Sequence, residues 1–89
     1  MRQATIELYQ RVALTRDLPE HNLCKGDVAV VVEHLPGTLA SGGEAGYTLE
    51  VFNAVGETIT VIMVPVSAVK LLTEHEILQV RPLSIIEPR

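Results

Sequence analysis

Two alternating apolar runs joined by a short glycine-containing link set the tightest limit on what this chain can become. In YTLEVFNA, Tyr47, Leu49 and Val51 alternate with Thr48, Glu50 and Phe52; after AVGE the pattern resumes in TITVIMVPV. Period-two alternation marks a strand with one face toward a core, whereas an amphipathic helix needs a period near 3.6. Two such runs across a short Gly link predict a β-hairpin.

The remaining segments extend this into a mainly β fold. RVALTRDL at 11–18 sets Val12, Leu14 and Arg16 against Ala13, Thr15 and Asp17, a half-buried strand stopped by Pro19, and PEHNLCK is the loop that follows. VAVVVEHL at 28–35 is continuously apolar at its start, which implies cover on both faces. PGTLASGGEAG at 36–46 is a long Gly-rich connection. Beyond Pro65 the small-residue step SAV suits one 3₁₀ turn before a short closing strand ending in KLL. Strand, irregular loop, strand, long loop, hairpin, turn and short strand is the order of a five-stranded SH3-like barrel, here a single domain over 1–89 with its barrel core at about 11–72. Residues 73–89 form a C-terminal extension in which EILQVRPLSII is apolar enough to add a strand, although Pro82 bars it from a central place.

Composition narrows the function classes. Hydrophobic residues make up 47% of the chain but aromatics only 3%, so the core is built from Val, Ile and Leu. A net charge of -4 argues against nucleic acid and anionic membrane surfaces as partners, because both are gripped by Lys and Arg. One cysteine cannot form an internal disulfide, MRQATIELYQ lacks the pattern of a signal peptide, and no apolar run reaches the roughly 18 residues of a membrane span. A cytoplasmic protein is the expectation.

DLPEHNL at 17–23, KGDVAVVVE at 25–33, the YTLEVFNAVGETITVIMVPVSAV stretch and KLL at 70–72 resemble an uncharacterised family of short bacterial and archaeal proteins. Its members carry DLPEHGL, KGDVGTVVE, a YEVEF strand and a closing RPL stretch, and the resemblance spans about residues 11–72. It implies an SH3-like barrel and no particular activity. The chain departs from the pattern at Ala29 and Val30, where the family has Gly and Thr, and in its longer 36–46 loop.

Candidate reactive groups are sparse. His21 and Cys24 stand three apart and could supply nitrogen and sulfur to a metal, but a structural zinc site needs four ligands and His34 and His75 are isolated. As a nucleophile, Cys24 has Lys25 beside it but no third group to hold His21 as a base. Gly37, Gly42 and Gly43 are followed by Glu44, where a phosphate-cradling loop would carry Lys. The pairs Asp17 with Glu20 and Glu74 with Glu76 read as solvated charges, with Asp17 capping local amides. No catalytic residue, cofactor or metal is therefore expected. KGDVAVVVE also resembles the start of the KOW motif of ribosome- and polymerase-associated barrels, which keeps a nucleic-acid-associated module as the alternative.

The apolar excess is the most telling anomaly. If Val28, Val30 and Val32 face inward, Ala29 and Val31 face out, and in TITVIMVPV Ile59, Val61 and Met63 oppose Ile62 and Val64. A small barrel cannot hold both sets, so the outer set, taken as Val31, Ile62 and Val64, needs cover by the terminal segments 1–10 and 73–89 or by a second copy. A homo-oligomer, most simply a dimer, is expected. The function expected is a non-enzymatic protein-interaction module, one form being a small acidic antitoxin or immunity-type partner. Its candidate interaction residues are Asp17, Glu20, His21 and Lys25 of the first loop with Val31, Ile62 and Val64 of the sheet.

Overall fold

The computed structural model describes residues 6–39 and 42–83. Five antiparallel strands, β1 (Arg11–Leu14), β2 (Val28–Leu35), β3 (Gly46–Phe52), β4 (Thr58–Pro65) and β5 (Val69–Leu71), form one sheet in the order β4-β3-β2-β1-β5. Single 3₁₀ turns stand at Pro19–His21 and Val66–Ala68. The expected order of elements is thus present, while β1 ends at Leu14, well short of Pro19. β4 and β5 remain separate edges, so the sheet is open and the word barrel describes it only approximately.

The hairpin forms where the alternation placed it. Asn53 closes its turn: its side-chain oxygen accepts the amides of Val55 (3.1 Å) and Glu57 (2.9 Å), and its own N–H donates to Glu57 O at 2.8 Å. Gly56 takes φ +90°, a left-handed conformation that a side chain would strain.

Register decides which residues are inside. Val12 pairs with Ala29 and Ala29 with Val51; Val31 pairs with Leu49 and Leu49 with Ile62. Opposed residues share a face, so these side chains line one side of the sheet and build the core with Leu14, Leu18, Leu23, Tyr47 and Val64. The opposite face carries Arg11, Val30, Glu50 and Val61 in one transverse row.

This reverses the expected phase of β2 and β4. Val31 is 0% exposed, Ile62 4% and Val64 5%, so these candidate interaction residues are core. Val28, Val30 and Val32 are half-buried on the other side. The physical reason is neighbour matching: Val30 lies opposite Glu50, and β3 buries Leu49 and Val51 while turning Glu50 away from the core. The apolar excess persists with the faces exchanged, because Ile59, Val61 and Met63 point outward, Val61 at 57% and Met63 at 70% exposure.

Both ends contribute cover. Ile6 is buried, donates its N–H to the Tyr47 hydroxyl and offers its carbonyl to His34 Nε2 at 2.7 Å. The extension forms no strand within 73–83; it turns at Thr73–Glu76 and runs on irregularly. The expected contributions of residues 1–5 and 84–89 lie outside the described residues.

Truncating Leu49 to Ala should destabilise the fold by about 2–5 kcal/mol, the range for a fully buried leucine, whereas Val61→Ala should cost less than about 1 kcal/mol. Urea denaturation of dilute protein measures both, and equal losses would place Val61 in the core.

Candidate interaction site

The loop between β1 and β2 is held by turn chemistry. Leu18 and Leu23 are buried and exchange backbone hydrogen bonds of 2.8 and 3.1 Å, pinching the loop around the Pro19–His21 turn. Asn22 closes that turn in the left-handed region at φ 59°, a conformation Asn tolerates better than most residues. Asp17 Oδ1 accepts the Lys25 amide at 2.8 Å, the capping role its position suggested. Glu20, His21 and Lys25 are exposed, and Cys24 is partly buried as a free thiol. Among the described residues no three His, Cys, Asp or Glu side chains gather as metal ligands.

The loop's organising group is Asp27. Its Oδ2 accepts the Cys24 amide at 2.8 Å, while its own N–H donates to Cys24 O at 2.9 Å. The same carboxylate receives Arg81 twice, Nε to Oδ1 at 2.8 Å and an Nη2 contact to Oδ2 at 2.5 Å, and Arg81 also reaches Asn22 O. Burial pushes Asp27 toward the neutral acid, but the Arg81 hydrogen bonds and charge with the Cys24 amide outweigh it and hold the carboxyl below its ordinary value. Arg81 is correspondingly raised. A second tie, Lys70 to Glu76, fixes the start of the extension beside β5; that hydrogen bond, with the Thr73 amide, lowers Glu76.

These ties bring the extension across the outward face and leave a cleft of about 900 Å³. Val28, Val30, Phe52 and Ile59 of the sheet and Val55 of the hairpin turn line one side, with Leu78 and Val80 opposite. Val55 is 79% exposed and Val80 92%. Charge stands at the margin: Arg11 on the sheet and the Asp27–Arg81 pair where the extension crosses. Lys25 borders a smaller recess of about 270 Å³ with Ala13, Lys70 and Ile77. The cleft is therefore an apolar surface with a charged clip, suited to receiving aliphatic side chains.

Sequence reasoning passed over Asp27, Arg81 and Val55. Gly26-Asp27 reads as turn punctuation, and its partner lies 54 positions away. The one legible signal was the apolar excess itself.

A family model described as Domain of unknown function (DUF4926) matches residues 8–71. No curated protein and no solved structure matches the chain.

Arg81→Ala should loosen residues 77–83 and cost about 1–2 kcal/mol, with Arg81→Lys intermediate because the forked contact is lost. Since the folded Asp27 value lies below its unfolded one, the pair's contribution is present above the ordinary carboxylate range and is lost as pH falls through the folded value. Amide NMR from pH 6 to 2.5 should show residues 77–83 releasing in acid, and Asp27→Asn should remove that transition; a release that persists in Asp27→Asn belongs to another group.

Proposed function

The chain belongs to the family of this domain of unknown function, and on that premise we propose that it is a protein-interaction module without enzymatic activity, receiving an apolar segment of another protein in its cleft. The observation that carries the reading is the aliphatic cleft itself. One wall comes from the sheet face opposite the core and the other from the extension, and Val55 and Val80 stand open on it. Exposed apolar patches of this kind mark interaction sites on small proteins.

The net charge of -4 favours a basic partner, since charge of opposite sign speeds encounter and rejects acidic competitors. A small antitoxin or immunity-type protein, an acidic SH3-like module in the bacterial cytoplasm that occupies a basic enzyme, is the specific form that fits these features. Glu20 and Lys25, exposed on the adjoining loop, would add rim contacts worth less than the apolar centre.

Tagged chain in the cell that makes it should retain one partner, and Val80→Asp or Val55→Asp should weaken that complex by about tenfold or more while circular dichroism stays unchanged. Undiminished capture by both variants would exclude the cleft as the binding site.

A further inference from the structure

The two edges of the sheet are built differently. β5 is a three-residue edge carrying Lys70, with the turn at Thr73–Glu76 tied beside it. Shortness, charge and cover are the usual means by which proteins keep a strand edge from pairing. β4 is eight residues long, reads TITVIMVP, and has no charged side chain. Among the described residues no strand pairs with its outer side.

Its backbone polarity can be worked out from the ladder. Val66 N–H donates to Ala45 O, one step beyond the Gly46↔Pro65 pair. In an antiparallel ladder alternate residues bond the neighbour, so Thr60, Ile62 and Val64 turn toward β3 while Val61 and Met63 turn N–H and C=O to the open edge. The β4 irregularity lies at Ile59, between the pairs Val51↔Thr60 and Phe52↔Thr58, and leaves the pairing from Thr60 to Pro65 regular. An open edge whose polar groups meet no partner among the described residues is a template for another strand.

We propose that the outer edge of β4 pairs antiparallel with the β4 of a second copy, fusing two sheets into one. A second copy fits better than a foreign strand because β4 offers no charge for a different partner to read, whereas its side chains complement themselves. A two-fold axis perpendicular to the sheet keeps core face with core face, which requires odd residues to oppose odd and even to oppose even. Centred on Ile62, the regular stretch sets Val61 opposite Met63 of the second copy twice over, apolar against apolar. Charge selects the orientation: parallel strands would stack Glu57 on Glu57, whereas antiparallel strands hold them about 30 Å apart at ~3.3 Å per residue, well beyond the ~8 Å screening length. One strand edge lies at or below the small end of specific interfaces, which bury about 1,200 Å² or more, so a weak dimer that depends on concentration is expected. This inference does not depend on the cleft.

Sedimentation velocity on the full chain from about 1 to 300 µM tests it. A dimer should form with rising concentration. Met63→Pro, which removes an N–H aimed at the open edge, and Val61→Lys should each weaken it at least tenfold with circular dichroism unchanged, while Val80→Asp should leave it intact. If Met63→Pro disturbs the fold, Val61→Lys decides. A monomer throughout, a dimer that survives the edge variants, or one lost only in Val80→Asp overturns the proposal. Partner capture repeated in the Met63→Pro background separates this outcome from failure of the cleft reading.

Discussion

The register of β2 between β1 and β3 governs this structure. Once Val12, Ala29 and Val51 lie in one row and Val31, Leu49 and Ile62 in the next, the inside and outside of most of the sheet are fixed, because a shift by one residue would exchange the faces. With few aromatics, the core relies on aliphatic side chains meeting across strands. Leu49, Val12 and Val31 are its most completely buried large residues and come from three adjacent strands. The bulge between Val31 and Glu33 then changes the pairing so that His34 and Tyr47 meet and together hold Ile6.

Such a core leaves an energetic problem that the extension partly meets. A chain of 89 residues buries a modest share of its surface, and here the rear of the sheet is also apolar. The 73–83 segment lies across part of that face without forming a ladder, so its position depends on side-chain ties at Lys70–Glu76 and Asp27–Arg81. The second is stronger, being forked and more sheltered, and Asp27 also closes the β1–β2 loop through the Cys24 amide. One carboxylate thus couples the entry to β2 with the position of the extension.

The legible parts of the fold were those specified locally. Tyr47, Leu49 and Val51 alternate with polar neighbours, and Gly56 marks the turn, so the hairpin follows from a few adjacent residues. The Val66–Ala68 turn was likewise legible from small residues after Pro65. The phase of β2 was not, because VAVVV is apolar on both faces and only Glu50 across the ladder identifies the wetter side. β4 inherited that ambiguity: Ile62 and Val64 are as apolar as Val61 and Met63, and nothing local tells them apart. The clip was hidden for another reason, since Asp27 and Arg81 meet only after the extension has crossed the sheet. For the site, then, the sequence disclosed that an apolar surface must exist without disclosing which side chains form it.

The polar loop, for all its dense chemistry, commits much of it to holding its own bend. Asp17 spends its carboxylate on the Lys25 amide, and Leu18 and Leu23 anchor the loop to the core. Such contacts satisfy backbone groups that the bend would otherwise leave unpaired. Glu20 and His21 are carried outward on a short turn, where solvent screens them. The cleft side chains have the opposite character: Val55 and Val80 stand largely in water. In a chain whose aliphatic residues exceed what its core holds, leaving these outside forgoes part of the gain from folding, a cost that burial against a partner would offset under the proposed interaction role.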